Sequence, residues 1–296
     1  MDVDDHGAAP VRIGTGLVFA EGVNVDRDGT LYCVDVEGGG IWRMPPGGDL
    51  REWVRTGGGP NGSRFGPEGD LFVADCGRRA VLRLSTATGA GAVYADRCDG
   101  WPFRGPNDLC FGPDSVLYVT NPGGSSLRQR IGAVYAVAPD RTVRRIVGGL
   151  AFPNGLMVTP DGAALVVAET HTGVLRRHSL DPARRDEELP PLVTLRSARE
   201  PDVTGTNDAG PDGMVFGADG NLYVAHYNGG VVRVIGPGGA LVDSLPWRSH
   251  ADERGFLAGQ PVRDRRYGRL GVSPGHQCAR ASPVHAAMVT ACYYYA

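Results

Sequence analysis

The sequence predicts an all-β fold, a six-bladed β-propeller with four-stranded blades, and three observations lead to this prediction. One pattern recurs five times along the 296 residues: a polar residue, hydrophobic alternation, an Asp/Gly turn and an apolar strand. Successive copies are separated by further short strand candidates, and helical periodicity is nearly absent. The chain is also rich in Gly (45) and Pro (22), as expected of many short strands joined by tight turns.

Each copy of the repeat begins with an oxygen-bearing residue and reaches a strand leucine ten residues later, or eleven in the fourth copy. The leading residues are Glu21, Asn61, Asn107, Asn154 and Asp212. The strand leucines are Leu31, Leu71, Leu117, Leu165 and Leu222. These leucines lie 40 to 57 residues apart, which is the range of propeller blades.

Two more strands are predicted after the first two of a blade. They span Gly40–Met44 and Leu50–Val54 in blade one, Gly132–Val137 and Thr142–Val147 in blade three, and Gly230–Ile235 and Ala240–Ser244 in blade five. Four strands per repeat, joined by turns such as Asp28-Gly29, complete one blade.

Residues 11–246 are predicted to form blades one to five together with an N-terminal strand, Val11–Phe19, that closes the ring by pairing with the last blade. Residues 247–296 are the expected sixth blade, but they lack the strand–turn–strand alternation of the other copies. A diverged sixth blade is one interpretation. A reading-frame shift is the other, since codons for His250–Phe256 can be chosen so that the next frame encodes a blade opening of the form Pro-x-Asn-x-x-Phe.

Composition excludes several classes of function. The formal net charge of −3 disfavours a nucleic-acid partner held through its phosphates. No apolar run approaches the roughly 18 residues that a membrane span needs. The N-terminal residues lack the apolar core of a secretory signal, so we expect a cytoplasmic protein whose six cysteines are reduced. The sequence leaves the oligomeric state open.

The five leading residues are candidates for a metal site. The first strand of every propeller blade lines the central channel, so equivalent residues converge on the axis. A ring of side-chain oxygens that includes two carboxylates suits a hard divalent cation. Singly, Asn-Gly and Asp-Gly are ordinary turn dipeptides, which is the alternative interpretation. Glu21 is a poor turn residue, and the shared position of all five favours the cation.

Four segments resemble a known family. Phe19-Ala20-Glu21-Gly22, Pro106-Asn107-Asp108, Phe152-Pro153-Asn154-Gly155 and Gly210-Pro211-Asp212-Gly213 are similar to the motifs of the regucalcin/gluconolactonase, or senescence-marker-protein-like, propellers. The resemblance spans roughly residues 11–246. It implies a six-bladed propeller with one divalent cation, Ca²⁺ or Zn²⁺, on the axis; among hard cations Mg²⁺ and Mn²⁺ stay open.

The resemblance also implies roles for individual residues. Glu21, Asn154 and Asp212 match the family's metal ligands, and Asn107 matches a residue that contacts metal-bound water or substrate, so we include it in the candidate metal set. Asp212 matches the proposed general base. Family members often have a substrate-binding Arg two residues before the Asn of blade three. Gly105 stands there in this chain, and we take the neighbouring Arg104 as its replacement.

Polar residues also end the second strands of the five blades. They are Asp35, Asp75, Asn121, Glu169 and His226. Two interpretations stay open, a second polar layer near one rim of the channel or solvated strand ends. Asn121 begins a Gly- and Ser-rich loop, residues 121–126, that could cover the channel mouth, and it is a candidate substrate-binding residue.

The leading functional hypothesis is a metal-dependent hydrolase that opens a small lactone, with the metal as Lewis acid and Asp212 as general base. Two alternatives stay open: an organophosphate or aryl esterase that uses the same site, and a calcium- or ligand-binding propeller without turnover. In each case the expected partner is a small molecule rather than a nucleic acid or a membrane.

Overall fold

A computed structural model describes residues 11–184, 187–195, 209–246 and 256–258. Its architecture is all-β, with five four-stranded antiparallel sheets that follow one another along the chain. In each sheet the strand order in space is the strand order in sequence, so every blade is a simple meander. The prediction of an all-β propeller with four-stranded blades is confirmed for blades one to five.

The strand bounds give the plan of the molecule. Blade one contains β2 (Ala20–Val25), β3 (Leu31–Asp35), β4 (Gly40–Met44) and β5 (Arg51–Arg55), and it is preceded by β1 (Val11–Gly14). Blade two contains β6 (Pro60–Phe65), β7 (Leu71–Asp75), β8 (Ala80–Leu84) and β9 (Gly91–Ala95), and a small hairpin of β10 (Arg97–Cys98) and β11 (Trp101–Pro102) follows it.

The remaining blades repeat this arrangement. Blade three contains β12 (Leu109–Phe111), β13 (Leu117–Asn121), β14 (Gly132–Val137) and β15 (Val143–Leu150). Blade four contains β16 (Pro153–Val158), β17 (Ala164–Glu169), β18 (Val174–Ser179) and β19 (Glu188–Thr194), with 3₁₀ turns at Thr170–Thr172 and Pro182–Arg184. Blade five contains β20 (Gly210–Phe216), β21 (Leu222–Tyr227), β22 (Val231–Ile235) and β23 (Leu241–Pro246), and β24 (Phe256–Ala258) is the last strand described.

Burial is high in the second strands of the blades and low in the outer strands. Every residue of the second strands β3, β7, β13 and β17 is buried, and the strand leucines that mark the repeat are at most 3% exposed. Outer strands such as β5 and β9 are largely exposed. The second strands are therefore apolar on both faces because neighbouring blades cover both of them, and the core consists of the seams between blades.

The strand predicted ahead of blade one is present. β1 pairs antiparallel with β24, with Val11 opposite Ala258 and Gly14 opposite Phe256. This two-stranded sheet joins the two ends of the described chain. Residues 247–255 and 259–296, on which the predictions of a sixth blade and of a frame shift depend, lie outside the described residues.

Within the described part of the chain, no helix has the length and apolar character that crossing a membrane requires.

Candidate metal and ligand site

The leading residues of the repeat lie in or beside the innermost strands. Glu21, Asn61, Asn154 and Asp212 lie within β2, β6, β16 and β20, and Asn107 precedes β12 by two residues. The turn interpretation is therefore wrong for the four residues that lie in strands. Gly follows each of these four residues for a different reason, which is the close approach of neighbouring blades.

These glycines allow neighbouring blades to approach each other closely at the axis. A Cβ atom at Gly22 would lie 2.5 Å from the carbonyl oxygen of Asn61, the leading residue of the next blade. At Gly62 it would lie 2.7 Å from the carbonyl oxygen of Asn107. At Gly155 it would lie 2.2 Å from that of Asp212. Any side chain at these positions would push the leading residues apart, so Gly holds them together.

A small open recess, with a cavity volume of about 30 Å³, lies where the inner strands converge. Its lining residues are Glu21, Gly22, Val23, Asn61, Gly62, Ser63, Arg64, Asn107, Asp108, Asn154, Gly213 and Met214. The structure thus brings four of the five leading residues to one cavity. Asp212, itself 5% exposed, adjoins the recess through Gly213.

The sequence analysis did not predict two charged residues that line the recess, Asp108 and Arg64. Asp108 stands where the other four blades have Gly, and its side chain lies over Gly62, where a Cβ atom would be 2.5 Å from Asp108 Oδ1. Burial raises the pKa of Asp108, while the Arg64 guanidinium and the backbone N–H groups of Leu109 and Leu156 oppose the shift. A break in the Gly pattern at this position was the available sequence signal for Asp108.

The polar ends of the second strands have a structural role. Asp35 accepts hydrogen bonds from the backbone N–H groups of Val18 (3.0 Å) and Phe19 (2.9 Å), which enter blade one, and from Gly38 (3.0 Å) in the turn after β3. Asp75 likewise accepts hydrogen bonds from Gly59 and Arg78, both at 2.8 Å. We call these second-strand residues the clamps, because each joins the segment entering a blade to the end of its second strand.

The clamps of blades three and four work in the same way. Asn121 Oδ1 accepts hydrogen bonds from the backbone N–H groups of Arg104 (3.0 Å) and Gly105 (2.9 Å). Glu169, fully buried, accepts one from Ala151 (2.7 Å) and forms ion pairs with Arg130 and Arg176. Burial of these residues contradicts the interpretation as solvated strand ends. A polar layer near one rim of the channel stays a prediction.

Two predicted substrate-binding residues therefore lie away from the lining of the recess. The Oδ1 atom of Asn121 is engaged by backbone amides, and Arg104 is exposed, with its side chain packed over Gly123. Their contact with substrate stays a prediction. Arg104 is nevertheless tied by its backbone to the segment that positions Asn107, three residues later.

The entry to blade four is strained. Phe152, two residues before Asn154, has φ of 61°, a conformation that a bulky side chain rarely adopts. Its N–H donates to Ser125 Oγ at 2.9 Å, and its ring stacks on His171 with centroids 4.9 Å apart. These contacts hold the backbone that presents Asn154 to the recess.

Comparison with known proteins gives the family. The sequence pattern described as the SMP-30/Gluconolactonase/LRE-like region matches residues 19–251. The chain belongs to this family. The match covers more than two thirds of the chain and confirms the resemblance inferred from the motifs around Glu21, Asn107, Asn154 and Asp212.

Relatives of this SMP-30/gluconolactonase-family chain include several hydrolases. It is 29% identical to a gluconolactonase of Zymomonas mobilis over 294 residues, covering 93% of this chain and 77% of that protein. It is 31% identical to lactonase drp35 of Staphylococcus aureus, covering 76% and 68%. It is 28% identical to diisopropyl-fluorophosphatase of Loligo vulgaris, covering 77% and 78%.

Solved structures share the fold at lower identity. A gluconolactonase from Xanthomonas campestris has a TM-score of 0.69 at 22% identity, covering 82% of this chain and 80% of that one. A calcium-binding regucalcin from Agrobacterium tumefaciens has a TM-score of 0.65 at 19% identity, covering 80% and 77%. These two likenesses support the propeller architecture.

The donor set at the recess fits a hard divalent cation. Glu21 and Asp212 offer carboxylate oxygens, and Asn107 and Asn154 offer amide oxygens. Ca²⁺ binds such all-oxygen sets, whereas zinc sites usually include His or Cys. Among the residues that the structure describes, no group of three or more His, Cys, Asp or Glu is arranged to hold a metal ion. A cation held here would take amide oxygens from Asn107 and Asn154 as well as carboxylate oxygens.

Proposed function

We propose that this protein is a metal-dependent hydrolase that opens a small lactone, with its active site in the recess. The observation that carries the proposal is the convergence of Glu21, Asn107 and Asn154 on one cavity, with Asp212 adjoining it. Membership of the SMP-30/gluconolactonase family and the two lactonase relatives support the reaction class.

A bound divalent cation would supply Lewis-acid polarisation of the lactone carbonyl and a lowered pKa of water. The residues of the chain transfer the protons and orient the substrate. Asp212 takes a proton from the attacking water, whose oxygen forms a bond to the carbonyl carbon. The ring C–O bond then breaks, the ring oxygen takes up a proton, and the product is a hydroxy acid. Asn107, 8% exposed and in the wall of the recess, orients the substrate.

A second candidate activity is hydrolysis of an organophosphate or aryl ester at the same residues. It is favoured by the relative named diisopropyl-fluorophosphatase and by Gly105, which stands where sugar-lactone enzymes of the family often have Arg. A non-catalytic calcium-binding role is the third, and the likeness to a calcium-binding regucalcin motivates it.

We further propose that β1 closes the ring, and its pairing with β24 supports this. Residues 247–296 stand where a sixth blade is expected, either as a diverged blade or as the product of a frame shift. We also propose a cytoplasmic location. In its support, the four described cysteines, Cys33, Cys76, Cys98 and Cys110, are free thiols, in keeping with a reducing compartment.

A substrate panel tests the proposal. Small lactones, aryl esters and organophosphates are assayed with the purified chain, with EDTA, and after EDTA removal and addition of Ca²⁺, Mg²⁺, Mn²⁺ or Zn²⁺. We expect lactone turnover that EDTA abolishes and one of the metals restores. The matched control is Arg83→Met, a surface Arg of blade two that forms ion pairs with Glu68 and Asp70, which should behave as wild type. EDTA-resistant turnover would contradict the metal dependence, and metal binding without any turnover would contradict the lactonase assignment.

A further inference from the structure

Arg64 is a charged residue in the wall of the recess that the proposed reaction does not use. It lies in β6, three residues farther along the channel-lining strand than Asn61. Its side chain leaves blade two and reaches two other blades. The Nε atom lies 3.4 Å from the carbonyl oxygen of Leu109 in blade three, and Nη2 lies 3.9 Å from Met157 Sδ in blade four.

These contacts hold the guanidinium in place but satisfy it poorly. A strong N–H···O hydrogen bond is about 2.9 Å long, and a thioether is a weak acceptor. Arg83, in the third strand of the same blade, is bound far more tightly. Its guanidinium nitrogens lie 2.6 Å from carboxylate oxygens of both Asp70 and Glu68. Within the described part of the chain, the hydrogen bonds of Arg64 include no carboxylate, and its charge acts on Asp108 through space.

The charge of Arg64 is permanent, because a guanidinium does not lose its proton in proteins. Two carboxylates and three side-chain amides share the recess with Arg64, and they belong to Glu21, Asp108, Asn61, Asn107 and Asn154. A divalent cation held by these oxygens would therefore have a fixed positive charge nearby. In an open recess such a charge acts over several ångströms, and dissolved salt weakens its effect.

We propose that Arg64 is an electrostatic tuning residue for the metal site: it would weaken cation binding and add to the positive potential that a ligand of the bound cation meets. This inference rests on the proposed function, since it concerns the same site. It assigns to Arg64 a part in setting metal affinity rather than a contact with substrate.

The test is the affinity of the purified protein for Ca²⁺, with Mn²⁺ in parallel, by calorimetric titration after metal removal. Arg64→Met keeps the length of the side chain and removes the charge, and Arg64→Lys keeps the charge. We expect Arg64→Met to bind the cation at least about tenfold more tightly than wild type, since a like charge has been removed. Arg64→Lys should stay within about threefold of wild type, because the charge is retained.

Two controls separate this role from a structural one. Arg83→Met removes a positive charge from the outer part of the same blade and should leave the affinity unchanged. The gain in Arg64→Met should shrink as NaCl is raised from about 0.1 M to about 1 M, because salt screens the interaction. If Arg64 only supported the fold, its loss would loosen the site and weaken binding instead.

The possible failures are distinguishable. Tight binding by wild type with equal or weaker binding by Arg64→Met would overturn this inference and leave the proposed function intact. No binding of either cation by wild type and by Arg64→Met would overturn both. Thermal unfolding in EDTA verifies that each variant is folded before titration.

Discussion

Two positions of the repeat, fourteen or fifteen residues apart, are polar in every blade, and the two sets differ in what they contact. The leading residues, such as Glu21 and Asn107, line the recess. The clamps, such as Asp35 and Asn121, bind backbone N–H groups of the segment that enters the same blade. A buried polar residue in a propeller strand thus stabilises the fold when its oxygens accept hydrogen bonds from backbone N–H groups. It can bind a ligand when its oxygens face the channel.

The largest expected effect concerns the recess. Asp212→Asn keeps an oxygen that can bind metal but removes the base, so kcat for the proposed lactone substrate should fall by about 10² to 10⁴. Metal should be retained at least in part, and the unfolding free energy of the metal-free protein should change little. Kinetics and metal analysis of the same preparation check this. Full kcat with metal bound would mean that Asp212 is not the base.

Among the clamps, Glu169 should have the largest effect on stability. Its carboxylate is fully buried between Arg130 and Arg176, at 2.6 Å from each. Glu169→Gln removes the buried charge that pairs with both arginines, of which Arg176 keeps its ion pair with Glu188. The free energy of unfolding should therefore fall by about 3 kcal/mol. Urea unfolding measures it. An unchanged unfolding midpoint, or a loss of metal affinity at unchanged stability, would break the distinction between the clamps and the recess.

His226 occupies the clamp position of blade five and should make stability depend on pH. Burial, with a smaller contribution from Arg233, lowers its pKa from 6.5 to about 4. Between these two pH values the unfolded chain binds a proton that the folded chain does not, so stability falls as the pH drops from about 6.5 to about 4. The loss should be roughly 2–3 kcal/mol.

His226→Gln should flatten this dependence, since the variant has no group at this position that titrates in the window. Chemical unfolding at pH 7.5 and pH 5 compares the slopes. Equal slopes in both proteins would show that other groups control acid stability.

The smallest effect expected is at Asn121. Asn121→Ala removes an acceptor of two backbone hydrogen bonds and should cost about 1–2 kcal/mol, whereas Asn121→Asp keeps the acceptor and should cost less. KM distinguishes the two roles of this residue. If Asn121 is only a clamp, Asn121→Asp keeps the KM of wild type. A raised KM in both variants at similar stability would support the substrate contact predicted from sequence.

Much of the fold could be predicted from the sequence, because the same residue types recur at the same positions of each blade. The positions of Leu31, Leu71 and Leu117 located the second strands, and the strands predicted over Gly40–Met44 and Gly132–Val137 agree with β4 and β14. The convergence of the leading residues followed from the repeat alone.

The contents of the recess could be predicted less well. The Gly residues after the leading residues looked like turn residues, since the approach of the next blade is a long-range contact that no local pattern reveals. The same holds for Arg64, whose side chain reaches Met157 across 93 positions of sequence. The role of the clamps could not be predicted for a related reason. Their partners are backbone N–H groups, which nearly every residue type carries.

One paired measurement tests the central distinction most directly. Glu21→Gln and Asp35→Asn each replace a carboxylate with an amide in blade one, the first facing the recess and the second bound to the amides of Val18 and Phe19. For both variants the affinity for Ca²⁺ and the unfolding free energy of the metal-free protein are measured. We expect Glu21→Gln to bind Ca²⁺ at least about 100-fold more weakly with its unfolding free energy nearly unchanged, since a charged ligand is lost. We expect Asp35→Asn to lose about 1–3 kcal/mol of unfolding free energy and largely to keep its affinity for Ca²⁺. The reverse pattern, or equal effects on both quantities in both variants, would contradict it.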